Sequence, residues 1–285
     1  MRILPTAYFF PMTPPKLPAF IQTPWRTLVL GLLATGISWS SPLAARAAES
    51  VSIAAAADLS YCLDDLNAAF KKTHPGADLK VSSGSSGNFA TQIKSGAPFE
   101  VFLSADMGFP KDLVKAGLAD EKTLFTYAFG KIVLWTLHPE TVDVTQGLAV
   151  LSKPDVVKKL AVANPDYAPY GRAAKEALQH DKLWDALQPR IVLGDNIAQT
   201  AQFVSSGNAD AGIVALSLVI SPKLANVGKW QEIPAGDYAL LEQGAVLTKI
   251  GSANPTAKAY MDFLRTPEAR AIFDHYGFRL PEKKG

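Results

Sequence analysis

The chain has 285 residues, of which 48% are hydrophobic and 19% are charged, so its composition is that of an ordinary globular protein rather than a disordered one. Its formal net charge of +2 excludes a general electrostatic attraction to nucleic acid or to acidic membranes. The single cysteine, Cys62, excludes an internal disulfide. It falls on the apolar face of a predicted helix, where a buried structural thiol is expected.

The N-terminal segment has the pattern of an export signal. Arg26 precedes an apolar run over residues 27–37, and small residues follow as far as an A-x-A site at residues 45–47. Because the apolar run is too short to span a bilayer comfortably, we predict a cleaved signal peptide over residues 1–47. The mature protein is then exported, to the periplasm in a diderm bacterium, and an uncleaved anchor is the alternative.

From Val51 onward, short apolar runs alternate with helical patterns. The runs predict strands at residues 51–55, 78–81, 100–104, 131–135, 160–163, 212–215 and 244–247. The helical patterns cover residues 60–72, residues 88–94 and a long C-terminal section from Pro255 to His275. This alternation implies βαβ units, a mostly parallel sheet and two α/β lobes.

Four stretches that follow predicted strands resemble helix N-termini able to hold a small anion. They are rich in Gly, Ser, Asn or Pro and cover residues 55–60, 82–88, 168–172 and 194–198. A helix N-terminus leaves about four backbone N–H groups without internal partners and about half a positive charge. Ligands of open α/β sheets bind where strands end and helices begin. Two stretches lie in each half of the mature chain, which indicates a dianion held between two lobes.

Other chemistry is poorly supported by the sequence. None of the four histidines has zinc-site spacing, and G-x-S-x-G and Walker A motifs are absent. We therefore predict neither an enzyme nor a bound cofactor. The alternative from another class is an exported enzyme that acts on phosphate or sulfate esters, with Asp58 as its candidate nucleophile or base.

Six motifs in order resemble those of the periplasmic molybdate-binding proteins of ABC importers, and together they extend over residues 50–280. The resemblance is carried by Ala55 to Leu59, the serine loop through Ser86, residues 95–106, residues 168–171, residues 212–214 and the ending from Phe263 to Phe278.

The resemblance implies a two-lobe type II periplasmic binding protein fold, in which each lobe is a mixed, mostly parallel sheet flanked by helices. Lobe 1 would comprise residues 48–129 and 240–285, and lobe 2 residues 130–239. The lobes would be joined by crossings near residues 128–131 and 235–242. The implied ligand is molybdate or tungstate, held as an oxoanion without protein ligands to the metal, and the implied partner is an ABC permease in the inner membrane. A monomer is expected. Phosphate or sulfate as the ligand remains an alternative.

The resemblance also implies which residues bind the oxoanion. Ser86 would donate its hydroxyl and backbone N–H, and Tyr170 and Ile197 would donate backbone N–H groups. Asp58 stands where family members usually place a serine or threonine, and Ala215 replaces a tyrosine that some members use. Ser85 and Arg172 are possible secondary contacts.

An ionised Asp58 is only an acceptor and would repel a dianion. Three arrangements would avoid the repulsion. The carboxylate could cap the helix that begins near Ser60, leaving only the N–H of Asp58 for the ligand. It could pair with Arg172 across the cleft. Alternatively, the ligand could carry a proton that Asp58 accepts, as hydrogen phosphate does.

Overall fold

The computed structural model describes residues 50–282, and the predicted signal peptide lies outside this range. These residues form ten strands, which are β1 (Ser50–Ala56), β2 (Asp78–Gly84), β3 (Val101–Ser104), β4 (Phe125–Gly130), β5 (Ile132–Thr136), β6 (Leu160–Ala163), β7 (Ile191–Gly194), β8 (Ala211–Ala215), β9 (Lys229–Glu232) and β10 (Leu241–Leu247). The α-helices are α1 (Cys62–Thr73), α2 (Ser86–Lys94), α3 (Gly108–Lys115), α4 (Pro169–His180), α5 (Trp184–Leu187), α6 (Ile197–Ser205), α7 (Leu216–Val219), α8 (Pro255–Phe263) and α9 (Pro267–His275). Among them, no helix is both long and apolar enough to cross a bilayer.

The strands form two separate five-stranded sheets. The first sheet has the order β2-β1-β3-β10-β4, and the second has the order β7-β6-β8-β5-β9. Each sheet has two parallel and two antiparallel pairings, so both are mixed. Every antiparallel pairing involves β5 or β10, the strands that follow the two passages of the chain between the sheets. The first passage is Lys131 alone, and the second is residues 233–240.

Each sheet has its own hydrophobic core. In the first sheet, Ile53 and Leu103 pack with Phe70 of α1 and Phe273 of α9. In the second, Trp135 of β5 is fully buried with the apolar strands β6 and β8. Burying one large apolar side chain stabilises the folded state by about 1.5–3 kcal/mol, so these faces fix the helices on the sheets.

Most of the predicted elements are confirmed, but their bounds differ. Strands β4, β7 and β9 were not predicted, and β7 and β9 contain residues that are half-buried or exposed, which weakens the apolar signal. The C-terminal section is two helices rather than one. Thr266 interrupts it, because its side chain caps α9 by accepting from the N–H of Ala269 and Pro267 takes the first helical position.

A close approach of α4 to β6 gives a first test of this packing. A Cβ at Gly171 would overlap the backbone carbonyl of Ala163, whose carbonyl carbon would lie 2.7 Å away. We expect Gly171→Ala to lower the free energy of unfolding by about 2 kcal/mol or more, measured by urea denaturation, because overpacking outweighs the better helix propensity of alanine. Gly76→Ala is the control, since nothing lies within 4 Å of its added Cβ. Equal stability of the two variants would contradict the described packing.

Candidate functional site

The four stretches that resemble anion-binding helix N-termini meet at one small cavity of about 10 Å³. Each lies directly after a strand, namely β1, β2, β6 and β7. The cavity is lined by Ala56, Ala57, Asp58, Gly84, Ser85, Ser86, Ala105, Ala168, Pro169, Tyr170 and Ile197. It therefore includes five of the six predicted site residues, from both sheets, and it excludes Arg172. No lysine or arginine is among the lining residues.

The helix ends at the cavity differ in how they are capped. In α6, the side chain of Asn196 accepts from the N–H of Gln199. In α2 and α4, the capping positions Ser85 and Ala168 make no side-chain cap hydrogen bond. Since helices usually satisfy their first N–H groups with a cap, α2 and α4 retain donors for another acceptor.

Two serines place hydroxyl groups beside these donors. Ser86 is fully buried, and its Oγ accepts from the backbone N–H of Ala105 at 2.9 Å, which leaves its own hydrogen free to donate. Ser85 is also buried, and its Oγ has no hydrogen-bond partner. A buried hydroxyl without a partner costs about 1–3 kcal/mol, so Ser85 Oγ needs an acceptor that the surrounding residues do not provide.

Asp58 lies at the centre of a hydrogen-bond network that joins the two sheets. Its Oδ2 accepts from Tyr170 Oη of α4 at 3.0 Å and from Gln243 Nε2 of β10 at 2.6 Å. Its backbone carbonyl accepts from Ser217 Oγ of α7 at 2.7 Å. Its Oδ1 is buried and has no partner.

Burial dominates the ionisation of this carboxyl. Asp58 is 1% exposed, and desolvation raises its pKa from 3.8 to about 6. The hydrogen bonds from Gln243 and Tyr170, and those from the backbone N–H groups of Asp58 and Leu59, lower the pKa by a smaller amount. Burial also raises the pKa of the Tyr170 hydroxyl well above 10, so Tyr170 stays a donor.

Two of the three arrangements expected for Asp58 are wrong. Its side chain does not cap α1, which begins at Cys62 and has no side-chain cap hydrogen bond. It does not pair with Arg172, because Arg172 Nη2 donates to Asp106 Oδ2. The guanidinium carbon Cζ of Arg172 also lies over the ring of Phe109, 5.4 Å from its centroid, in a cation–π contact. The third arrangement, a proton on the ligand, stays a prediction.

The sequence analysis missed Gln243 and Ser217, which hold Asp58 from other parts of the chain. Gln243 is a fully buried amide in β10, and its neighbours Glu242 and Gly244 give no signal in the sequence that marks it as buried. Ala215, which stands in place of a tyrosine, ends strand β8 in the second core and does not line the cavity.

Further contacts cross between the two sheets beside the cavity. The N–H of Gly87 donates to the carbonyl of Tyr167 at 2.9 Å, and the Arg172–Asp106 pair joins α4 to the end of β3. In this conformation the elements of the two sheets are therefore closed on each other.

Among the described residues, one group could approach a metal ion. His180, Asp181 and Asp237 place their ligand atoms within 4.8 Å of one another, but none of the three lines the cavity.

The raised pKa of Asp58 predicts a pH-dependent cost to stability. The unfolded state loses the proton near pH 3.8 and the folded state near pH 6, so folding is disfavoured increasingly as pH rises between these values. We expect the stability advantage of Asp58→Asn over the wild type to grow by about 2 kcal/mol between pH 4 and pH 7.5, measured by urea denaturation. If the difference in stability between the two proteins does not change with pH, the raised pKa of the buried carboxyl is contradicted.

Comparisons with known proteins agree with this architecture. The sequence profile named "Bacterial extracellular solute-binding protein" matches residues 51–279. The chain is 42% identical over 254 residues to a molybdate-binding protein ModA of Rhodobacter capsulatus, which covers 89% of this chain and 97% of that one. It is also 42% identical to a ModA of Azotobacter vinelandii, with coverage of 83% and 92%.

A solved structure titled as the periplasmic molybdate-binding protein of Azotobacter vinelandii is similar in fold. It superimposes with a TM-score of 0.76 at 36% identity and covers 81% of this chain and all of that one. The resemblance stated from the motifs and the predicted fold class are confirmed.

Proposed function

Because this chain belongs to the bacterial extracellular solute-binding protein family, we propose that it captures molybdate or tungstate between its two lobes and delivers the anion to an ABC permease. The relatives named above are binding proteins, and their names identify molybdate as the ligand. The proposed location is the periplasm, after removal of a signal peptide over residues 1–47.

One observation carries this proposal: helix N-termini from both sheets converge on a cavity that has hydroxyl and amide donors but no cationic side chain. A dianion there would accept from the N–H groups of Ser86, Tyr170 and Ile197 and from the hydroxyl of Ser86. It would also give Ser85 Oγ the acceptor that it lacks. Each charge-assisted hydrogen bond contributes about 1.5–3 kcal/mol net, so several of them can offset the cost of association.

Capture would proceed by closure of the lobes. A cavity of about 10 Å³ holds roughly one water molecule, so the oxoanion enters while the lobes are apart, and the closed complex is wider here than the conformation described. Lobe 1 contains the first sheet and lobe 2 the second, with Lys131 and residues 233–240 as the connections between them. Contacts from both lobes stabilise only the closed form, which a permease then recognises. The protein acts as a monomer.

A second candidate is another tetrahedral oxoanion, and Asp58 is the observation that favours it. A protonated anion such as hydrogen phosphate could donate to the free Oδ1 of an ionised Asp58. Sulfate has shorter bonds and no proton, so it would leave donors unpaired at about 1–3 kcal/mol for each.

Calorimetric titration of the purified mature protein with molybdate, tungstate, sulfate and phosphate tests the assignment. We expect heat with molybdate and tungstate, at micromolar affinity or better, and much weaker binding of sulfate and phosphate. Heat with phosphate and none with molybdate would establish the second candidate. Hydrolysis of chromogenic phosphate or sulfate esters would instead support the enzyme alternative.

Ser86→Ala removes a hydroxyl that would donate to the anion. We expect the Kd for molybdate to rise about 10- to 100-fold, which corresponds to the loss of one charge-assisted bond. Ser83→Ala is the matched control, because Ser83 lies three residues earlier, near the end of β2, where it is exposed and contacts Ser60 Oγ. Circular dichroism checks that both variants fold. Unaltered affinity of folded Ser86→Ala would show that the anion binds elsewhere.

Gly87→Ala is expected to oppose closure rather than folding. Its Cβ would lie 2.7 Å from the carbonyl oxygen of Tyr167, which lies between β6 and α4 on the side of the second sheet. Residues 87 and 167 could then not come as close as they do in this conformation. We expect weaker molybdate binding with a thermal unfolding midpoint of the ligand-free protein close to that of the wild type. Gly108→Ala is the control, since its added Cβ meets only an ordinary contact with Asp106 at 3.5 Å. Wild-type affinity of Gly87→Ala would contradict closure through this contact.

A further inference from the structure

We infer that Asp58 takes part in binding as a neutral carboxylic acid that donates the proton on its Oδ1 to an oxygen of the oxoanion. This assigns a specificity-determining role to a residue that stands where the resembling family usually has a hydroxyl. The inference rests on the proposed function and identifies the protonation state in which the site works.

The two oxygens of the carboxyl have different surroundings. Oδ2 accepts from Tyr170 Oη and Gln243 Nε2, so both of its lone pairs are used. Tyr170 Oη also accepts from Gln243 Nε2 at 3.0 Å, which fixes its hydrogen toward Asp58. The acid proton is therefore assigned to Oδ1.

Oδ1 is the oxygen that lacks a partner. It is buried, no described side chain donates to it, and Asp58 lines the cavity where the oxoanion is proposed to bind. The backbone N–H groups of Asp58 and Leu59 also act on the carboxyl, but they lower its pKa by less than burial raises it. A carboxylate oxygen in this position would carry charge away from solvent and with no side-chain donor, which is a costly arrangement. A hydroxyl on Oδ1 needs only one acceptor, and an oxoanion oxygen supplies it.

Among the described residues, the side chains around Asp58 carry no positive charge, and the hydrogen bonds from Gln243, from Tyr170 and from the backbone N–H groups of Asp58 and Leu59 offset only part of the cost of burying its negative charge. The titratable groups that interact with its charge are Cys62 of α1, Tyr127 of β4 and Tyr170 of α4. Burial raises the pKa of all three above their ordinary values, so all remain neutral between pH 6 and pH 8. The neighbours Gln243 of β10 and Ser217 of α7 are uncharged, and Arg172 of α4 is paired with Asp106.

A proton donor at this position has a consequence for selectivity. Hydrogen bonds from an acid strengthen with the basicity of the acceptor, and the oxygens of molybdate and tungstate are more basic than those of sulfate. Molybdate is fully ionised between pH 6 and pH 8, so the required proton comes from the protein. Binding above the pKa of the free carboxyl then takes up one proton from solution for each anion bound.

Titration calorimetry of the wild-type protein with molybdate at pH 6, 7 and 8 tests this inference. We expect the affinity to fall about 50-fold between pH 6 and pH 8 if the ligand-free carboxyl keeps the pKa of the closed form, and about 100-fold if opening of the lobes returns the pKa to its ordinary value. At pH 8, repeating the titration in two buffers of different ionisation enthalpy should give an uptake of about one proton for each molybdate bound.

Two variants distinguish a pH dependence caused by Asp58 from one caused by another carboxyl group. Asp58→Asn keeps an acceptor for Tyr170 and Gln243 and places an N–H₂ donor at the position of Oδ1, so its affinity should be nearly independent of pH. Asp106→Asn is the control, because it removes a carboxylate that lies beside the cavity without lining it. It should change the affinity by the same factor at every pH.

The outcomes distinguish the inference from the function on which it rests. No heat with molybdate at any pH would refute the proposed function. Clear binding with neither pH dependence nor proton uptake would refute only the role of Asp58. A steep pH dependence that persists in folded Asp58→Asn would also refute it. If this variant does not fold, the number of protons that the wild type takes up on binding molybdate at pH 8 still tests the role of Asp58.

Discussion

Backbone N–H groups at the ends of helices need acceptors when they are buried, and this constraint organises the site. The N-termini of α2 and α4 reach one cavity without side-chain caps, and Ser85 adds a buried hydroxyl that has no partner. Because no cationic side chain lines the cavity, the donors are neutral and fixed by the backbone. Such a site recognises an anion by the positions of its oxygens, and attraction by a full positive charge has no part in it.

The same network couples the site to the relative position of the two sheets. Asp58 belongs to the first sheet, whereas Tyr170 and Ser217, which hold it, belong to the second. Separating the sheets would break both hydrogen bonds and expose the carboxyl, which would bring its pKa back toward the ordinary value. The proton affinity of Asp58 therefore depends on closure, and protonation and closure favour each other.

The sequence predicted the local features of the site because they are local in the chain. Strand, loop and helix follow one another at each of the four stretches, and topology places the ends of the strands at one edge. The partners of Asp58 were not predictable in this way. Gln243 is 185 residues away in sequence, and nothing in a hydrophobic strand indicates which carboxyl its amide will meet.

The interruption of the C-terminal helical section was visible as Thr266–Pro267, but the strong apolar period on both sides concealed it. Arg172 shows a different limit of prediction. The chain could be expected to bring an arginine near the cleft, yet the choice between Asp58 and Asp106 depends on distances within the closed molecule. The strands β7 and β9 were not predicted because they are the edge strands of the second sheet. Only part of each is buried, so their apolar pattern is weak.

Cys62, the single cysteine, is buried against the first core, and desolvation raises the pKa of its thiol well above 9. A thiol that stays protonated and covered reacts slowly with alkylating reagents. Cys62 is therefore expected to react little in a thiol-labelling experiment. A new cysteine introduced at an exposed position on either side of the cleft can carry a fluorophore through maleimide coupling, with no need to replace Cys62 first.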